Sequence, residues 1–266
     1  MKQTLASIVS HTEIMPGVYL MWIEAPDIAM AAQPGQFVTV RCEGLILRRP
    51  FSIHQANLNQ FALLFQVVGK GTFWLSQLQM GDKIDILGPL GKGFGIESAS
   101  RNLLLLAGGI GIAPLVFLAQ RAVSQYSITL IHGASTAAQL YHQQRLPKEI
   151  QFIPLTEDGT MGRKAAVTDL LPDFLPLADQ VYACGPLDMY KAMAFTLNPS
   201  PSKGEGEKRR EESKLKKCQV SLELRLGCGI GACYGCTINT KKGLKQVCRD
   251  GPIFELDDII WEEVRI

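Results

Sequence analysis

No stretch of this 266-residue chain stays apolar for the roughly eighteen residues that a membrane-spanning helix needs, and the opening MKQTLASIVSHTEIM lacks the unbroken apolar core of a secretory signal. A cytoplasmic protein is expected. Excess charge of one sign is missing too: 27 Lys and Arg against 25 Asp and Glu leave a formal net charge of +2, which gives no case for nucleic acid or a membrane surface as partner. Histidine is scarce, with four residues scattered along the chain. There is no Ser-His-Asp order, no paired carboxylates and no base-plus-nucleophile loop, so hydrolysis is not supported and no catalytic residue is assigned. No internal repeat is visible. What remains is an ordinary globular composition, 47% hydrophobic and 20% charged, with length for two domains or for three if one is small.

Cysteine, by contrast, is concentrated. Four of the seven lie in Cys228-Gly-Ile-Gly-Ala-Cys233-Tyr-Gly-Cys236 and at Cys248, with four, two and eleven residues between successive members. The leading spacings are those of the plant-type ferredoxin run that holds a 2Fe-2S cluster. Gly229, Gly231 and Gly235 allow positive φ, which lets backbone N–H groups curl toward sulfur. Four thiolates also suit structural zinc, but zinc motifs usually come as two Cys-x-x-Cys pairs, and one such pair is present. Cys228, Cys233, Cys236 and Cys248 are therefore the expected metal ligands. Cys42, Cys184 and Cys218 are scattered, and their odd number agrees with a reducing compartment.

Ahead of this stretch the chain reads as two blocks. Residues 1–97 alternate in short segments broken by Gly and Pro, with strands expected over 4–10, 17–24, 36–42, 51–56, 61–68 and 83–88 of an antiparallel barrel or sandwich. A helix is expected over 72–78, capped by Thr72 after Gly69-Lys-Gly71 and open to an anion, although a plain turn explains the same residues. Arg48-Arg49-Pro50-Phe51-Ser52-Ile53 sets a cation that can fork onto a diphosphate beside a hydroxyl that can meet a flavin ring; a basic strand end with a core phenylalanine would look the same.

Residues 98–197 open with the apolar run Arg101 to Ala107, the turn Gly108-Gly109-Ile-Gly111 and a helix over 113–124. Strand, glycine turn and helix is the order of a nucleotide-binding unit, though the spacing departs from GxGxxG. Strands over 127–133, 151–155 and 180–184 and helices around 136–145, 166–171 and 187–197 complete a doubly wound α/β domain with a parallel sheet. Thr156-Glu157-Asp158-Gly159 and Cys184-Gly185-Pro186 follow strand ends, the edge where such sheets bind ligands, while Cys184 fits equally as a small residue closing a strand. Residues 198–217 hold seven Lys or Arg and four Glu with one large apolar side chain, Leu215, and read as a solvated linker. A small cluster domain over 218–266 follows. It is expected to contain a strand or helix-strand lead-in over 218–226, a hairpin of 237–240 and 244–248 that returns Cys248, and an apolar strand in the tail.

Taken together, RRPFSI, GKGT, GGIGIAPL, TEDGTMG, CGPLDM and CGIGACYGC with VCRDGP resemble, over nearly the whole chain, the electron-transfer subunits of type B dihydroorotate dehydrogenase, a ferredoxin-reductase-like family. The resemblance implies FAD, one 2Fe-2S cluster and NAD as cofactors. It also implies an FMN-containing catalytic subunit as partner in a heterotetramer of two plus two, with electrons passing from dihydroorotate to NAD in pyrimidine synthesis. By the same resemblance Arg49, Pro50, Phe51 and Ser52 meet the flavin and its diphosphate, Leu64, Phe65 and Gln66 lie along FAD, and Gly71 and Thr72 sit at its phosphate. Gly108, Gly109, Gly111, Glu157, Asp158, Cys184, Gly185 and Pro186 then line the nicotinamide side. The 198–217 connection is longer and more charged than is usual in the family. NADH is favoured over NADPH, because no arginine stands with His132-Gly133-Ala134-Ser135 to take a 2′-phosphate. NADH delivers two electrons as hydride and a 2Fe-2S cluster accepts one, so a flavin, which does both, belongs between them. A flavin and iron-sulfur NAD(P)H reductase serving a ferredoxin, a hydrogenase or a sulfide-oxidising partner shares the same modules. A zinc-binding sensor would share only the cysteines, and would be colourless.

Overall fold

The structure, a computed structural model, describes residues 1–197 and 216–264. Six antiparallel strands, β1 (Lys2–Met15), β2 (Val18–Glu24), β3 (Phe37–Arg41), β4 (Arg49–Ala56), β5 (Gln60–Gln66) and β6 (Lys83–Leu90), close into a barrel in the order β1-β2-β5-β4-β3-β6. Alternation explains the closure: Ile84 and Ile86 of β6, Val38 and Val40 of β3, and Met21 and Ile23 of β2 point inward and are buried. Helix α1 (Pro26–Ala31), which the strand pattern did not announce, adds Ile28 and Ala29 to this core. Helix α2 (Lys70–Ser76) begins two residues ahead of the expected start at Thr72. Thr72 is therefore not the cap; from the first turn its hydroxyl accepts the N–H groups of Val68 (2.9 Å) and Gly69 (3.1 Å).

The second block is a seven-stranded sheet. Its strands are β7 (Asn102–Gly108), β8 (Ser127–Ala134), β9 (Gln151–Thr156), β10 (Arg163–Lys164), β11 (Gln180–Cys184), β12 (Cys218–Ser221) and, after the hairpin β13 (Thr237–Thr240) and β14 (Gly243–Gln246), β15 (Ile253–Glu255). They lie in the order β10-β9-β8-β7-β11-β12-β15. The unbroken apolar run of β7 is explained by cover on both faces: Leu103, Leu105 and Ala107 pack with α3 (Ile112–Ala122), whereas Leu104 and Leu106 join the core that contains Leu171 of α4 (Leu171–Phe174) and Met193 of α5 (Leu187–Leu197). β12 pairs parallel with β11, and β15 pairs antiparallel with β12, so the sheet runs across the expected boundary at residue 218, and the cysteine loop lies in the chain between β12 and the edge strand β15. Among the described residues no helix is long and apolar enough to cross a membrane.

Three local expectations are corrected. In place of a helix over 136–145 there are two 3-10 turns, Ala137–Gln139 and Gln143–Arg145, separated by extended backbone at Leu140 (ψ 136°) and His142 (ψ 119°). That break sends Leu140 and Tyr141 into the interior, where burial outweighs the helix propensity of Ala and Gln. Residues 166–171 form a 3-10 turn, Val167–Leu170, leading into α4, with the Asp169 carboxylate accepting the Ala166 N–H (2.8 Å). Cys248 is not on a hairpin strand but on α6 (Val247–Asp250), where the Asp250 carboxylate accepts the Gln246 N–H (2.8 Å). Of the expected charged linker, residues 198–215 lie outside the described residues; Lys217 at its end donates to Glu97 (2.7 Å).

Candidate functional site

A cavity of about 620 Å³ opens where three parts of the chain meet. One wall comes from the barrel, where Arg49, Pro50, Phe51 and Ser52 of β4 and Leu64, Phe65 and Gln66 of β5 line it together with Thr72. Gly71 stands behind Arg49; a Cβ there would lie 2.9 Å from Arg49 Cγ. A second contribution is Ile110 and Ala113, from the glycine turn and the first turn of α3. The third is Ser221 to Leu226, which runs from the end of β12 into the cysteine loop. Within that segment Glu223 is the residue sequence reading missed. Its carboxylate accepts the Cys184 thiol (3.8 Å). Glu223 is surrounded by protein yet its side chain is exposed to the cavity; the surrounding protein pushes its carboxyl up, the Cys184 hydrogen bond pulls the other way, and the exposure weakens the push.

The cysteine loop is shaped by Gly229 (φ 75°) and Gly231 (φ 84°), both in the left-handed region. This turns the N–H groups of Ile230, Ala232 and Cys233 onto Cys228 Sγ at 3.4, 3.2 and 3.4 Å and that of Gly231 onto Cys248 Sγ at 3.1 Å. The thiols fall into two pairs: Cys236 and Cys248 are 3.3 Å apart, and Cys233 is within hydrogen-bonding reach of Cys228. Among the described residues no three His, Cys, Asp or Glu gather about one point to hold a single ion. Two pairs of thiols are a donor set that a binuclear cluster would take. Burial alone would raise the Cys228 thiol, but the N–H groups of Ile230 and Cys233, the Cys233 thiol and the Ala232 N–H bring it down to about 6; burial and Cys236 push Cys248 up to about 12.

The nucleotide-side residues gather at the carboxyl edge of the sheet. Gly108 ends β7 and Gly109 and Gly111 follow it, while Cys184 ends the adjacent β11 and Gly185 and Pro186 follow it; a Cβ at Gly111 would collide with the Cys184 carbonyl oxygen, so this close approach requires glycine. Glu157 and Asp158 follow β9. Glu157 accepts the Ser135 hydroxyl (3.3 Å) at the end of β8, and Asp158 accepts the Thr160 hydroxyl (2.6 Å), which together with the Thr160 N–H holds its carboxyl below the usual range.

Comparison with known proteins agrees with this geometry. Residues 223–260 match the family described as the iron-sulfur cluster binding domain of dihydroorotate dehydrogenase B, and residues 105–194 match the oxidoreductase NAD-binding domain. The dihydroorotate dehydrogenase B (NAD(+)) electron transfer subunit of Desulforamulus reducens is 37% identical over 271 residues, covering 97% of this chain and 98% of that protein. The chain belongs to this family of electron transfer subunits. The Bacillus cereus member is 35% identical, covering 95% of this chain and 96% of its own. A solved structure described as an NADH-dependent reduced ferredoxin-NADP oxidoreductase, studied for flavin-based electron bifurcation, superimposes with a TM-score of 0.83 at 29% identity, covering 97% of this chain and 91% of that one. The ferredoxin NADP+ reductase from Neisseria gonorrhoeae, with bound FAD and NADP, shares the fold (TM-score 0.66, 20% identity, 84% of this chain and 100% of that chain).

The family's cofactors are FAD, a 2Fe-2S cluster and NAD, and the site fits them. The cavity is mainly apolar, with β4 and β5 on one wall and Arg48, Arg49 and Arg225 among its lining residues, a combination that suits a flavin dinucleotide. Four thiols in two pairs, met by N–H donors, suit anionic sulfur. Of the sequence-assigned flavin residues, Arg49, Pro50, Phe51, Ser52, Leu64, Phe65, Gln66 and Thr72 line the cavity, and Gly71 lies behind Arg49. The missing portion, Ser221 to Leu226, carried a weak signal, an acid and a base in an apolar alternation just before the first cysteine of the cluster loop.

Proposed function

We propose that this chain carries electrons from a dihydroorotate-oxidising, FMN-containing partner subunit, through its 2Fe-2S cluster and FAD, to NAD in de novo pyrimidine (UMP) synthesis. One observation carries the reading. A single cavity is walled by the barrel, by the glycine turn and by the segment that leads into Cys228, so a ligand filling it touches all three modules. When bound, FAD exchanges hydride with NAD and single electrons with the cluster.

The chain's own residues set up that exchange. Arg49, beside Gly71 and Thr72, is the cation for the diphosphate; Pro50, Phe51, Ser52 and the β5 residues Leu64, Phe65 and Gln66 hold the ring system. Gly108, Gly109 and Gly111 admit a dinucleotide to the start of α3, and Cys184, Gly185 and Pro186 form the facing wall. Glu157, with Ser135, puts negative charge where a 2′-phosphate would have to enter, which favours NAD over NADP; Asp158 extends the same edge. The Glu223 carboxylate accepts the Cys184 thiol at the junction of the flavin and nucleotide walls. Cys228, Cys233, Cys236 and Cys248 bind the cluster, and the loop amides favour its negative charge. Two copies with two of the partner, in the cytoplasm, complete the proposal; four cysteines spaced as metal ligands and three scattered ones accord with a reducing compartment. Anaerobic NADH added to the chain alone is expected to bleach its flavin absorbance and then its cluster absorbance. A chain holding both cofactors that NADH fails to reduce would contradict the nucleotide half of the proposal.

A further inference from the structure

Behind the glycine turn lies a buried chain of hydrogen bonds whose two ends return to one short piece of backbone. His132, near the carboxyl end of β8, donates from Nε2 to the Gly109 carbonyl (3.0 Å), and its Nδ1 accepts the Tyr141 N–H (3.3 Å). The Tyr141 hydroxyl donates to His54 Nε2 (3.1 Å), and His54, on β4, donates from Nδ1 to the Ala113 carbonyl (2.9 Å). Carbonyls only accept and the Tyr141 amide only donates, so a single tautomer of each neutral imidazole satisfies every member. His54 and His132 have no exposure and Tyr141 has 2%. Burial lowers both imidazoles to about 4, against the opposing effect of the Ala113 and Gly109 carbonyls, and keeps them neutral.

The two ends of the hydrogen-bond chain grip that piece of backbone. Gly109, at φ 54°, opens the turn and Ala113 lies in the first turn of α3. On the far side His54 follows Ser52 by two residues on β4, and both Ser52 and Ala113 line the cavity. The glycine turn is thus tied by side chains to the barrel strand that carries the cavity wall. We propose that His132, Tyr141 and His54 form a positioning unit that fixes a nucleotide held at the glycine turn against the flavin held at β4. None of the three lines the cavity, so they act through Gly109 and Ala113. Hydride exchange between two ligands held by different domains is sensitive to their separation, which gives such a unit its use. The inference rests on Gly108 to Gly111 being the nucleotide turn.

Tyr141→Phe tests it, since the ring stays and the bond to His54 goes. In the chain loaded with FAD and cluster, the rate of flavin reduction at saturating NADH is expected to fall about tenfold. Flavin content and reduction by dithionite, which needs no nucleotide turn, are expected to be unchanged, and amides 109–113 should exchange hydrogen faster. His54→Asn keeps a donor for Ala113 but offers Tyr141 no ring nitrogen; it should match Tyr141→Phe, and the double variant should be no slower than either. A Tyr141→Phe rate within twofold of wild type, additive effects in the double variant, or loss of flavin from both single variants would overturn the positioning role. Failure of NADH to reduce the wild-type flavin would instead remove the nucleotide turn on which the inference rests.

Discussion

Cys233 is the most exposed of the four cluster thiols, while Cys236 and Cys248 are buried. Its exposure suits a ligand on the side where electrons from the partner enter the chain. Cys233→Ser is expected to abolish electron transfer between the partner and FAD, lower bound iron, and leave NADH reduction of FAD intact, as read by iron content and by single-turnover absorbance. Full partner-linked turnover in that variant would contradict the relay. The four cysteines were legible in the sequence because metal ligation fixes spacing. Glu223 was not: in Ser-Leu-Glu-Leu-Arg-Leu an acid at alternate positions reads as the wet face of a strand, and only the fold aims it at Cys184, thirty-nine residues away.

Among the elements, β7 and the strands of the barrel were legible because burial on one face or two writes a period into the chain. The 136–145 segment was not, because its Ala, Gln and Leu favour a helix, whereas the bonds from Tyr141 to His132 and His54 reward extended backbone. Likewise nothing local says that the strand after the charged segment pairs with β11. Tyr190 of α5 shows how that pairing is fastened: its hydroxyl donates to the Ser221 carbonyl (2.7 Å) and accepts the Gly185 N–H (2.9 Å), and its ring stacks on Trp261 at 5.3 Å. Tyr190→Phe leaves both backbone groups buried without that partner and should cost about 1–3 kcal/mol. Because Ser221 begins the third wall of the cavity, weaker FAD retention should accompany the lower melting temperature. A variant with wild-type stability and flavin content would contradict this fastening.

For the molecule as a whole, the neutral histidines predict an acid limit. His54 and His132 drop from an ordinary 6.5 to about 4 on folding, mainly through burial. Between those values the unfolded chain binds protons that the folded chain does not, so stability is complete above pH 6.5 and falls as pH drops toward 4, by about 3 kcal/mol for each. Glu223 and Glu255, whose carboxyls burial raises, act in the opposite sense, so the informative comparison is with His54→Asn, whose melting temperature should depend less on pH in this window. Equal slopes would contradict the neutral histidines.

In the proposed function one continuous path joins the partner's FMN to NAD through this chain. Anaerobic NAD reduction by dihydroorotate, with this chain mixed with the type B catalytic subunit from the same source, measures that path from end to end. NADH formation is expected to require both chains and to stop with Cys233→Ser. NADH oxidation by a chain holding flavin and cluster, without any dihydroorotate-dependent NADH formation in the mixture, would contradict it.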